Sequence, residues 1–167
     1  MNTYYILAID PSLTNTGYAV FKNGAELVDY GVIKTKKANK FTQDTRLLTI
    51  INKITKLIKV YKFDYLAIET QFLMGFRGAS VLKVAEVSGA IKAKFLELTS
   101  NGVIFEITPS EAKKDLGVKG VKKRDERKAL ILKKVNEIYA KDITNLDISD
   151  AIAIGYSANK KIKAKNF

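Results

Sequence analysis

Tyr4-Tyr5-Ile6-Leu7-Ala8-Ile9-Asp10-Pro11 opens the chain, and Leu66-Ala67-Ile68-Glu69 repeats its ending further along. Each is a short apolar run rich in β-branched and aromatic residues, the pattern of a central strand buried on both faces. Each places an acid directly after the run. Between them, Leu47, Ile51, Ile54, Ile58 and Tyr61 recur at three- and four-residue spacing with lysines in between, which predicts an amphipathic helix over 43–62. A strand, a helix and a second strand make a right-handed crossover, so the two strands are expected to be parallel neighbours. Asp10 and Glu69 then emerge at the same end of the sheet, where α/β proteins place their sites.

The remaining elements follow outward from that unit. Gly17 to Phe21 and Glu26 to Ile33 read as strands joined at Lys22-Asn23-Gly24, where Asn-Gly is a strong hairpin signal. A long helix is expected from about Ala79 to Leu98, and a strand from Gly102 to Ile107. A short helix after Pro109 comes next, then a Gly- and Lys-rich loop from Gly117 to Lys123. Helices from about Arg124 to Tyr139 and Asp147 to Asn159 complete the series. The order βββαβαβααα predicts an α/β fold with a mixed central sheet flanked by helices, its first three strands antiparallel and the later ones parallel to the first. Only two prolines and no low-complexity linker interrupt the 167 residues. One domain over 1–167 is expected, ending in a short basic tail from about 159 to 167.

The chain contains no His and no Cys. Disulfides, thiolate nucleophiles, Cys/His zinc sites and Ser-His-Asp triads are therefore excluded, and oxygen-ligand chemistry remains. Two carboxylates brought together in a partly dry setting repel each other unless a cation joins them, and hard divalent cations take oxygen ligands. A further pair, Asp147 and Asp150, is three residues apart at the start of the last helix, so both acids can share one face there. Asp at a helix start is also an ordinary cap, and Asp-Pro an ordinary strand end.

These residues resemble a family. Ile9-Asp10-Pro11-Ser12-Leu13-Thr14-Asn15-Thr16-Gly17-Tyr18-Ala19-Val20, Ala67-Ile68-Glu69-Thr70-Gln71-Phe72 and Asp147-Ile148-Ser149-Asp150-Ala151 are similar, in order and spacing, to the three acidic motifs of RuvC, the Holliday junction resolvases. Gly78 to Lys83 through Gly89 resembles the family's long central helix. The resemblance, to a cellular or a phage-type member, implies an RNase H-like fold, a homodimer and paired metal-dependent cuts in branched DNA. It makes Asp10, Glu69, Asp147 and Asp150 the metal ligands of two Mg²⁺ ions per site, with Mn²⁺ as a substitute. Lys113 resembles a basic residue of the family's active site, and Lys122 or Lys123 a second one. Phe72 resembles an aromatic that works at the junction core, or else anchors its loop in the protein core. Ser12 departs from the family's usual Gly. Two cations roughly 4 Å apart can activate a water and stabilise the leaving oxygen of a phosphodiester.

Lys and Arg number 29 against 17 Asp and Glu, a net charge of +12, and the excess is shared evenly by the two halves of the chain. Lys113 to Lys134 is the densest stretch, with ten basic and three acidic residues. Such a field attracts polyanions. Lys113, Lys114, Lys119, Lys122, Lys123 and Arg124, together with Phe72, are expected to contact DNA, four-way junctions in the first place, with forks and flaps left open. Alternatives are a non-catalytic nucleic-acid-binding domain of the same fold, an RNase H acting on RNA–DNA hybrids, and a nucleotide phosphotransferase of the actin-like type, for which the chain is short. Small residues at Ala85, Ser88, Gly89 and Ala93 fit either a dimer seam or packing on the sheet. No stretch is apolar enough to span a membrane and no signal-peptide core is complete, so a cytoplasmic protein with no membrane partner is expected. A branch-migration motor as partner cannot be read from the residues.

Overall fold

The computed structural model describes residues 3–36, 42–70 and 78–165. Strands β1 (Tyr5–Asp10), β2 (Asn15–Lys22) and β3 (Glu26–Lys34) form an antiparallel meander. Its hairpin turns at Asn23 and Gly24, both with positive φ, 53° and 68°, as the Asn-Gly pair demands. Helix α1 (Gln43–Tyr61) crosses over to β4 (Tyr65–Glu69), and α2 (Gly78–Leu98) crosses to β5 (Val103–Ile107). Both β4 and β5 run parallel to β1, giving a five-stranded sheet of order β3-β2-β1-β4-β5. Three helices follow: α3 (Pro109–Asp115), α4 (Arg124–Tyr139) and α5 (Leu146–Lys165).

Strand alternation sorts the core into two layers. Leu7, Ile9, Val20, Leu66 and Ile68 pack with Ile50, Ile54 and Ile58 of α1 and with Val87, Ile91 and Phe95 of α2. Ile6, Ala8, Ala19, Phe21 and Ala67 pack on the other face with α3, α4 and α5. Each fully buried aliphatic or aromatic side chain contributes roughly 1.5–3 kcal/mol, so both faces are stabilised independently of the site. The same alternation aims the acids. Asp10 continues the parity of Ile6 and Ala8, and Glu69 that of Ala67, so both project on the α5 side.

Helix α5 lies against β1 and β2 because two glycines let it approach. A Cβ at Gly17 would collide with the main-chain carbonyl of Asp147, and one at Gly155 with the ring of Phe21. The helix also outruns its expected end: it continues past Asn159 to Lys165, because Ile162, 3% exposed, carries the buried face one turn further. Residues 159–165 are thus helix rather than tail. On α2 the small residues divide. Ser88 is buried, with an Oγ lacking a partner among the described residues, whereas Ala85, Gly89 and Ala93 face outward with Leu82 and Leu96.

Candidate active site

A cavity of about 430 Å³ opens at the carboxyl ends of β1 and β4, between α3, α4 and the first turn of α5. Asp10, Glu69, Asp147 and Asp150 all line it. Three separate segments deliver them, each by a local device. The loop after β1 is bound by Ser12, whose Oγ accepts from the backbone N–H groups of Thr14 (3.3 Å) and Asn15 (3.4 Å), so the departure from Gly at this position serves the turn. Arg46 clamps the same loop from α1, donating to the carbonyl of Leu13 (3.2 Å) and the hydroxyl of Thr14 (2.9 Å). At α5 the capping task falls to Asn145, whose Oδ1 accepts from the backbone N–H groups of Asp147 (2.9 Å) and Ile148 (3.2 Å). The ordinary capping role is therefore already filled, and the Asp147 carboxylate is left for the cavity.

The electrostatics record the crowding. Burial, then the charges of Glu69, Asp150 and Asp147, hold the Asp10 carboxyl well above the usual carboxylate range, with Lys128 pulling the other way. Lys128 donates to Asp150 at 2.9 Å. Burial alone would lower the Lys128 ammonium, but the hydrogen bond and charge of Asp150, with the charges of Asp10 and Asp147, outweigh it and raise its pKa. Among the described residues no three acids already close on one point as a metal cage. The ammonium of Lys128 supplies part of the positive charge that the cluster calls for. The donors are all hard carboxylate oxygens, and their mutual repulsion is of the kind that a divalent cation relieves, so in chemistry the residues fit the metals expected of them.

Lys113, Arg124, Arg127 and Lys128 also line the cavity. Lys114, Lys119, Lys122 and Lys123 are exposed and are not among the lining residues. Neither Lys122 nor Lys123 lines the cavity, and Lys123 pairs with Glu126 at 3.3 Å. Arg127 and Lys128 do line it, and neither is among the residues expected from the sequence. A signal was there: Arg124, Arg127, Lys128 and Ile131 share one face of α4 at helical spacing. Phe72 lies outside the described residues. Behind Glu69, Lys92 pairs with Glu106 at 2.5 Å, a hydrogen bond that lowers the Glu106 pKa.

The family model "Crossover junction endodeoxyribonuclease RuvC" matches residues 6–157. The chain belongs to the RuvC family. The crossover junction endodeoxyribonuclease RuvC of Campylobacter hominis is 39% identical over 153 residues, covering 89% of this chain and 91% of that protein. The RuvC of Helicobacter hepaticus is 33% identical, covering 97% and 86%. Among solved structures, Thermus thermophilus RuvC in complex with a Holliday junction substrate superposes with a TM-score of 0.77 at 18% identity, covering 96% of each chain. The yeast mitochondrial Holliday junction resolvase Ydc2 reaches 0.60 at 15% identity, over 97% of this chain and 80% of that one. These structural likenesses confirm the RNase H-like fold of the RuvC family expected from the motifs. No helix among the described residues is long and apolar enough to cross a membrane.

Proposed function

We propose that this RuvC-family chain is an endonuclease that resolves four-way DNA junctions, with its hydrolytic centre in the cavity between β1, β4 and α5. The observation that carries the reading is the convergence of four carboxylates, from three chain segments, on one cavity that basic groups also line. Asp10, Glu69, Asp147 and Asp150 would hold the cations, Mg²⁺ by preference for hard oxygen donors, two per site, with Mn²⁺ substituting. Bound there, such cations supply Lewis-acid charge at the scissile phosphate. The chain's own residues do the rest. Lys113 and Arg124 hold the phosphate by charge-assisted hydrogen bonds. Lys128, which pairs with Asp150 at 2.9 Å and lines the same cavity, would offer its ammonium to the phosphate oxygens where Asp150 held a cation instead. The apolar wall of Ala112, Ile131, Ala153 and Ile154 lowers the local dielectric and strengthens each of these interactions.

Exposed Lys114, Lys119, Lys122 and Lys123 extend the basic surface beyond the cavity and are assigned to phosphates of the junction arms. Paired cuts in a four-way junction call for two symmetry-related sites, hence a homodimer. The outward stripe of Leu82, Ala85, Gly89, Ala93 and Leu96 on α2 is the face that we assign to it. The deciding assay compares four-way, three-way, flap and linear duplex DNA with an RNA–DNA hybrid in Mg²⁺, beside Glu69→Gln. Cleavage of the four-way junction by the wild type and not by the variant is expected. Cleavage confined to the hybrid would make the protein an RNase H, and no cleavage of any substrate would leave a binding domain.

A further inference from the structure

On the sheet face opposite the catalytic cavity, a second cavity of about 390 Å³ lies between α1 and β3, the edge strand of the sheet. Its floor is apolar. Leu57 and Val60 of α1 and Ile33 of β3 line it, and Val60 is 72% exposed. Gly31 lets the Tyr18 ring lie across β3, since a Cβ there would come within 2.8 Å of the phenol oxygen. The Tyr61 hydroxyl donates to Asp29 at 3.2 Å and pins a second ring beside it. Three lysines, Lys34, Lys53 and Lys56, complete the lining. All three are exposed, and none makes an ion pair among the described residues.

We propose that this groove docks an acidic peptide segment of a partner protein, held extended along β3 with an apolar side chain in the cavity and carboxylates on the three lysines. Charge complementarity selects the acid, since unpaired ammonium groups around an apolar floor lose little by meeting carboxylates and gain on releasing counterions. The outer edge of nine-residue β3, unpaired among the described residues, offers backbone N–H and C=O groups for strand addition. A nucleic acid is the poorer occupant: its phosphates gain nothing from Leu57 and Val60, whereas an apolar side chain of a peptide does. This site is independent of the hydrolytic centre, with which it shares no lining residue.

The test is a titration of the ¹⁵N-labelled full chain, followed by NMR, with a synthetic peptide alternating Asp with Leu and Phe. Amide shifts confined to Tyr18 and its neighbours, Asp29–Lys34 and residues 49–61 are expected. Lys53→Glu with Lys56→Glu should weaken binding at least about tenfold, Val60→Asp should weaken it as well, and at protein concentrations that saturate the four-way junction both variants should cut it at the wild-type rate. An all-Asp peptide of equal length that binds as tightly would reduce the groove to bare charge and overturn the proposal. So would no shift at millimolar peptide, or oligothymidine binding the same residues at least as tightly. Shifts of these amides with protein concentration alone would assign the face to a second copy of this chain instead.

Discussion

Asp10 and Lys128 carry the sharpest expectations at the scale of single residues. Asp10→Asn removes one carboxylate from a crowded, desolvated cluster, so cleavage should fall to background while junction binding is kept or tightened, as gel-shift and cleavage assays on one preparation would show. Wild-type cutting by the variant would take Asp10 out of the site. Lys128→Met separates two roles. It removes the ammonium that competes for Asp150, so Mn²⁺ should bind at least as tightly by calorimetry, whereas cleavage should drop on the order of 10²-fold for the lost phosphate partner. In EDTA the variant should be less stable by about 1 kcal/mol, since the ion pair is only partly shielded from water, and the deficit should shrink as divalent ion is added. The acids were legible in the sequence because each follows a recognisable strand or opens a helix. Lys128 was not, because one lysine in a run of ten basic residues has no mark until the α4 face is drawn.

At the scale of elements, the docking of α5 on the sheet decides the site. Gly17→Ala would drive a methyl group into the carbonyl of Asp147 and push the first turn of α5, with both its acids, away from Asp10. It should cost about 1–3 kcal/mol or more and abolish cleavage. Gly155→Ala, further down the helix against Phe21, should cost a similar amount and leave part of the activity, and thermal melts beside cleavage rates would tell the two apart. Helix α4 contributes a pH dependence. Burial, then Tyr156, raises the pKa of half-buried Tyr139, whose ring packs on Phe21 at 5.6 Å. The folded state therefore keeps a proton that the unfolded chain releases above the ordinary phenol value of about 10, so stability falls as pH rises past that point. Tyr139→Phe should flatten this alkaline loss in denaturant titrations. It will do so only in part, because Tyr4, Tyr18 and Tyr61 are shifted the same way. Element order and the Asn-Gly hairpin were readable because period and turn chemistry are local properties. The end of α5 was misread because Ile162 owes its burial to the sheet beneath it.

For the whole molecule, the net charge of +12 should govern DNA affinity more than any one contact. Binding of a four-way junction should weaken steeply with salt, and each exposed lysine that touches a phosphate should carry a slope of about 0.9 in log K against log salt. Lys119→Ala with Lys122→Ala should flatten that slope and leave the cutting of bound junction unchanged. A slope equal to the wild type's would remove both from the interface. The even spread of charge, the strand and helix sequence, and the choice of carboxylates over histidine or cysteine were determined by the sequence alone, for all are properties of residue type and spacing. Tertiary structure alone decided which basic groups share the cavity with the acids, since Lys128 and Asp150 are 22 residues apart in the chain and meet at 2.9 Å only because α4 and α5 pack together. It also decided that Asp147 faces the site rather than capping its helix. That outcome rests on Asn145 taking the cap and on Gly17 letting the helix come close, two contacts that no periodicity in the chain announces.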